Sequence, residues 1–152
     1  MQRVRGGRSL ARGFTLLEVM VVIVILGILA SLVVPNLLGN KEKADQQKVV
    51  TDLVALENSL DMYKLDNSVY PSTEQGLQAL VSKPAGTPEP RNYRNGGYIK
   101  RLPQDPWGNE YQYLSPGEQG EIDIYSLGAD GQEGGEGTAA DIGNWNLGEY
   151  QK

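Results

Sequence analysis

The sequence contains no cysteine and no histidine, and only one phenylalanine. Without cysteine there is no disulfide to staple the fold and no thiolate nucleophile or metal ligand. Without histidine the commonest general base, transition-metal ligand and neutral-pH switch are all missing. No serine-nucleophile motif replaces them, so the chain reads as a non-enzyme. Acid is also missing from one region: no Asp or Glu precedes Glu18, whereas Arg3, Arg5, Arg8 and Arg12 all do. Without residues 1–13 the chain would hold 10 basic and 19 acidic residues, a net charge of −9. An acidic remainder of this kind excludes a nucleic-acid partner, which requires a basic face. The length of 152 residues suggests one domain with an appendage.

The appendage is visible at once. After the basic, Gly-containing stretch 1–13, Phe14 to Val34 form a run whose only polar members are Thr15, Glu18 and Ser31. As a helix this run rises roughly 30 Å, the thickness of a bilayer's hydrocarbon core. The arginines should stay cytoplasmic and the remainder should lie outside. Three plainer readings compete: a removable secretory signal, an ordinary signal anchor and a buried core helix. The run is long for a signal, carries a Glu near its start and lacks an A-x-A site after it. Its uniform apolarity argues against a core helix of a soluble domain. A carboxylate one turn inside such a helix is expensive without a partner. Glu18 either snorkels to the headgroups or meets an amine. Cleavage of the Gly13–Phe14 bond would create that amine on Phe14. The spacing of 14 and 18 then puts both groups on one helical face, for pairing within a chain or between neighbours.

The string Arg12-Gly13-Phe14-Thr15-Leu16-Leu17-Glu18 resembles the class III signal of type IV pilins and pseudopilins. The resemblance implies that a prepilin peptidase cuts after Gly13 and methylates Phe14. It also implies that Glu18 registers an incoming subunit. Three segments follow: a cleaved leader over 1–13, a transmembrane and fibre-core helix over 14–35, and a head over 36–152.

Pro35 ends the apolar run. It predicts a bend or local melting near Pro35 and Gly39, or else the start of a new helix. From Lys41 the composition changes. Val49, Leu53, Leu56, Leu60 and Tyr63 recur at helical spacing and predict an amphipathic helix whose apolar face is covered by a C-terminal sheet. Residues 14–64 thus read as one helix roughly 75 Å long, half apolar all round and half amphipathic. Asp66-Asn67-Ser68 ends it. Ser72-Thr73-Glu74-Gln75 resembles a capping box opening a short helix buried through Leu77, Leu80 and Val81. Residues 83–97 form a Pro- and Gly-rich loop, and 102–109 a turn-rich element with Trp107 packed beneath it. Strands are expected over 110–114 and 121–126, joined as a hairpin through 115–120, with a third over 144–147. The second alternates Ile122 and Ile124 with Asp123 and Tyr125, placing the latter pair outward. The fold class is α+β: a long N-terminal helix packed on a small antiparallel sheet.

Residues 127–142 have many glycines, few apolar groups and the carboxylates of Asp130, Glu133, Glu136 and Asp141. Such a loop must be ordered with little burial. It is either a solvated flexible loop or a site for a hard cation, Ca²⁺ before others. Its spacing does not match an EF-hand.

The segments YKLDN, YPSTEQGLQAL, LPQDPWGN, SLGADG and DIGNW resemble the G subunits, or major pseudopilins, of type II secretion systems. The matches run from Tyr63 to Trp145. The resemblance implies a type IV pilin-like fold and one structural Ca²⁺. Its ligands would be the Leu127 carbonyl and the Asp130 and Asp141 carboxylates. Where some members have a second acid, Ala140 stands here, so a further ligand would be the Thr138 carbonyl or water. The implied partners are copies of the chain in a homopolymer, minor pseudopilins, the prepilin peptidase, an inner-membrane assembly platform with its cytoplasmic ATPase, and the membrane itself. The expected location is the inner membrane, single-pass, with a periplasmic head assembling into a pseudopilus that exports folded proteins. The alternative is a type IV pilus or DNA-uptake pilin. Those commonly carry a C-terminal disulfide, which this sequence cannot form.

Overall fold

A computed structural model of the chain describes residues 12–152. Arg3, Arg5 and Arg8 lie outside the described residues. The chain divides into two compact units between Asn40 and Lys41. One helix, α1, runs Leu16–Asn67 and contributes to both.

α1 begins at a capped end. The Thr15 hydroxyl accepts the Glu18 N–H at 3.1 Å, and the Thr15 carbonyl accepts the Val19 N–H at 3.2 Å. Thr15 is thus an N-cap, and it satisfies a backbone donor that the first helical turn leaves unpaired. The segment that follows is dominated by Val, Ile and Leu. Val and Ile are not strong helix formers, so propensity alone does not explain the helix. An apolar surrounding would, because there a single segment satisfies its own backbone only as a helix. Between Leu16 and Val33 the large apolar side chains are 43% to 80% exposed. Among the described residues α1 is the one helix long and apolar enough to cross a membrane, and none of its most apolar window is buried. Residues 36–40 are helical, so the local melting expected near Pro35 and Gly39 is not found in this state. Proline removes one N–H, and the turns on both sides carry the helix across.

The head is built on the second part of α1. Val49, Leu53, Leu56, Leu60 and Tyr63 are all at most 1% exposed, on one face and at the predicted spacing. Full burial of each such side chain contributes about 2 kcal/mol. The expected hairpin is present: β1 (Gln112–Leu114) pairs antiparallel with β2 (Asp123–Ser126), Tyr113 opposite Ile124. β3 (Ile142–Gly143) pairs on the far edge of β2, which gives the order β1-β2-β3. Tyr113, Ile122, Ile124 and Ile142 join the α1 face in one core.

Two details differ from expectation. The third strand lies at 142–143, not 144–147. Asn144–Asn146 instead form a turn into the short helix α2 (Leu147–Tyr150), with the Asn146 N–H bonded to the Gly143 carbonyl at 3.2 Å. The Trp145 ring lies directly over Gly143, where a Cβ would stand 2.3 Å from it. In the 3₁₀ helix Leu77–Leu80 the buried residues are Leu77, Ala79 and Leu80, while Val81 is half-buried. The tight turn is the reason, since three residues per turn place position 81 off the face that four-residue spacing predicts. The capping box ahead of it is formed in both directions. The Gln75 N–H donates to the Ser72 hydroxyl (3.2 Å), and the Ser72 N–H donates to the Gln75 side-chain oxygen (3.0 Å).

The C-terminal end of α1 is clamped. Ser68 leaves the helix with φ 68°. Asn67, buried, donates to the Tyr63 carbonyl and the Tyr98 hydroxyl and accepts the Asn92 N–H. Asp66 accepts from the Tyr98 hydroxyl and pairs with Arg94 at 3.0 Å.

Candidate functional site

The candidate site has two parts, one at each end of the chain. At the N-terminal part, Gly13 and Phe14 precede α1, and Phe14 is 84% exposed. Phe14 is not helical in this uncleaved chain, because Thr15 caps the helix and Leu16 is its first residue. The shared helical face expected for Phe14 and Glu18 belongs to the cleaved chain, in which Phe14 is the terminus. Glu18 sits at the third helical position. Its N–H is held by Thr15, while its carboxylate has no hydrogen-bond or ion-pair partner among the described residues. The Thr15-x-x-Glu18 spacing is the capping-box pattern, a signal the sequence reading passed over. A carboxylate in the first turn also lies at the positive end of the helix dipole.

The second part is the loop from Leu127 to Asp141, which leaves β2 and returns to β3. Its two arms meet where the Ala129 N–H donates to the Thr138 carbonyl at 2.8 Å. They are drawn tighter by glycine. Gly128, with φ 69°, would place a Cβ 2.7–2.9 Å from the Ala139 and Ala140 carbonyl groups, so any side chain would push the arms apart. Leu127 is half-buried; Asp130 and Thr138 are exposed. The Asp130 carboxylate accepts the Gln132 N–H at 3.1 Å and shapes its own turn.

Asp141 differs from the others. Its Oδ2 accepts the Gly134 N–H at 2.8 Å. Its Oδ1 is buried and has no partner among the described residues. Its carbonyl accepts from the Asn146 side chain at 3.2 Å, which anchors the residue beside β3. A buried carboxylate oxygen without a donor is costly. The neighbourhood is negative as well: the Tyr125 phenol is pushed up by burial, and then by Glu133, Asp141 and other carboxylates. The orphaned oxygen and the negative surroundings are compatible with a hard cation. Among the described residues no three Asp, Glu, His or Cys side chains cluster in a way that would hold a metal. A cation at Asp141 would therefore need backbone carbonyls among its ligands.

Two further acids, not singled out from the sequence, build the scaffold of this loop. Asp105, 4% exposed, accepts the N–H groups of Trp107 (3.1 Å) and Asn109 (2.8 Å) and the Ser126 hydroxyl (2.8 Å). Ser126 in turn accepts the Gly128 N–H at 3.2 Å. One carboxylate thus ties the 102–109 turn to the start of the loop. Its signal was the Asp-Pro-Trp-Gly-Asn turn itself, since Asp commonly caps its own turn. Asp123, expected outward, is 2% exposed. It accepts the N–H groups of Glu118, Gln119 and Gly120 at 2.6, 2.9 and 3.1 Å and closes the hairpin loop.

Comparison with known proteins decides the family. Residues 36–145 match the family profile "Type II secretion system (T2SS), protein G", and residues 8–34 match the prokaryotic N-terminal methylation motif. The chain belongs to the type II secretion protein G family. It is 81% identical over 139 residues to the type II secretion system core protein G of Vibrio cholerae, covering 91% of this chain and 94% of that one. It is 63% identical to the Escherichia coli K12 protein of the same name over 141 residues, covering 93% and 95%. The crystal structure of the major pseudopilin from the type 2 secretion system of enterohaemorrhagic Escherichia coli superposes with a TM-score of 0.66 at 67% identity. That match covers 74% of this chain and 96% of that one. The protein is accordingly a pseudopilin of the type II secretion system, with the type IV pilin-like architecture, and the pilus alternative is set aside. The methylation motif and the apolar helix fit an inner-membrane-anchored subunit.

Proposed function

We propose that this protein is stored in the inner membrane with its head in the periplasm, and that it polymerises through α1 into a pseudopilus that moves folded proteins outward. The observation that carries the proposal is the exposed apolar part of α1 with one carboxylate, Glu18, unpartnered among the described residues, just beyond the Gly13–Phe14 bond. Apolar surface of that extent needs lipid or other helices around it. Cleavage after Gly13 by a prepilin peptidase would free an amine on Phe14, which is then methylated. In the fibre that amine neutralises Glu18 of a neighbour, an arrangement that does not need the two residues on one helical face of one chain. Minor pseudopilins, an assembly platform and its ATPase complete the machinery.

In the head, the proposed Ca²⁺ ligands are the carbonyls of Leu127 and Thr138 and the carboxylates of Asp130 and Asp141. The Thr138 carbonyl already accepts one N–H and keeps a second lone pair. The cation would supply the positive charge that the buried Asp141 oxygen lacks. The protein's own part is to hold the two arms together through Gly128, Ser126 and Asp105.

The test is Glu18→Ala in cells that assemble the fibre. Membrane insertion and N-terminal processing, read by mass spectrometry of the mature terminus, are expected to be retained, while fibre yield falls at least tenfold. Normal yield would remove the pairing role. A mature chain starting elsewhere than Phe14 would remove the processing step.

A further inference from the structure

Asn95-Gly96 is the single Asn-Gly pair in the sequence. It occupies the tip of a turn in which the Gly97 N–H donates to the Arg94 carbonyl at 3.0 Å. Gly96 has φ 87°, and Ser68 is the one described non-glycine residue with positive φ, so the turn is type II with Asn95 and Gly96 at its centre. Both residues are exposed. Nothing stands within 4 Å of where a Gly96 Cβ would be. No hydrogen bond engages the Asn95 carboxamide or the Gly96 N–H among the described residues. The reacting pair is unhindered and unpaired.

We infer that Asn95 is a site of spontaneous deamidation in the folded subunit and that the change loosens the clamp at the end of α1. The Gly96 nitrogen loses its proton and attacks Cγ of Asn95. The bond from Cγ to the side-chain nitrogen breaks, ammonia leaves, and a succinimide ring remains. Water then opens the ring at either carbonyl and gives aspartate or isoaspartate.

The same chemistry is blocked elsewhere by the fold. Asn67 precedes Ser68, but its carboxamide is fully engaged and the Ser68 N–H is bonded to the Lys64 carbonyl at 2.6 Å. Asp130 precedes Gly131, a pair prone to the analogous isomerisation, but the Gly131 N–H reaches the Gly128 carbonyl and the carboxylate is held by Gln132.

The consequence follows from what the turn positions. Gly97 lies so close to the Leu80 and Val81 carbonyls that a Cβ would stand 2.5–2.8 Å from them. The N–H groups of Tyr98 and Ile99 both donate to the Leu80 carbonyl. Isoaspartate adds a methylene to the main chain of a turn with no slack. Either product places a carboxylate beside Arg94, in competition with Asp66.

The experiment ages purified full-length protein in detergent at mildly alkaline pH, followed by pepsin digestion in acid and mass spectrometry. The mass gain of replacing an amide by an acid should accumulate on the peptide holding Asn95. The peptides holding Asn58, Asn67 and Asn109 should stay unchanged, and isoaspartyl methyltransferase should label the aged Asn95 peptide. An unmodified Asn95 over a period in which guanidinium-unfolded chain converts would overturn the site. Hydrogen exchange at Tyr98 and Ile99 should quicken severalfold on ageing, and should not in aged Asn95→Ala. Unchanged exchange in fully deamidated protein would overturn the coupling to the clamp.

Discussion

α1 contains two stretches made of much the same residue types with opposite fates. From Leu16 to Val33 the Leu, Ile and Val side chains lie open, at 43% exposure or more. From Val49 to Tyr63 the same kinds of side chain lie at or near zero on one face. The difference is periodicity. The second stretch confines its large apolar groups to one stripe, which a sheet of three short strands can cover. The first is apolar all round, and no single neighbour covers every face of a helix. Its surface is left open by the chain itself, whereas the head completes its own.

That division can be attacked directly. Leu53→Ala should lower head stability by about 3 kcal/mol, because it empties a fully buried site. Ile23→Ala, at a residue 62% exposed, should leave head melting unchanged within about 0.5 kcal/mol. Thermal melts followed by circular dichroism would compare them, and equal losses would break the distinction. Asp105→Ala should cost about 2 kcal/mol, since two backbone amides and the buried Ser126 hydroxyl lose their acceptor. Calorimetry with and without EGTA should give a calcium-dependent increment of roughly 2 kcal/mol at saturating ion, lost in Asp141→Ala. Identical melting curves would remove the metal. A separate effect is alkaline. Burial, and then the neighbouring Tyr98 and Tyr93, push Tyr63 from 10.0 up to about 12. Burial does the same for Tyr113, also to about 12. The folded state keeps these protons longer than the unfolded state. Stability is therefore full below pH 10 and falls as pH rises from 10 toward 12, by roughly 1 kcal/mol per unit for each phenol. Urea titrations across that range would detect it, and a flat profile would mean the phenols are not protected.

The N-terminal helix, its apolar half, the buried face from Val49 to Tyr63, the capping box at Ser72 and the hairpin were all legible, because each rests on local spacing. The third strand was misplaced. Trp145 drew the expectation toward 144–147, but the strand that pairs with β2 is the two-residue Ile142–Gly143, too short for any period to register. The aromatic instead covers Gly143 from outside, beside Tyr125.

What the sequence determined alone is the division of the chain: a basic N-terminal stretch, one apolar rod with a single acid, and an acidic head without histidine or cysteine. These depend on composition and on periods of a few residues. Only the tertiary structure decided what each carboxylate does. Asp105 and Asp123 accept backbone N–H groups and are satisfied within the chain, whereas Asp141 keeps a buried oxygen with no donor among the described residues. The physical reason is that a carboxylate's role is set by which donors converge on it, and those donors come from turns that pattern and spacing do not place.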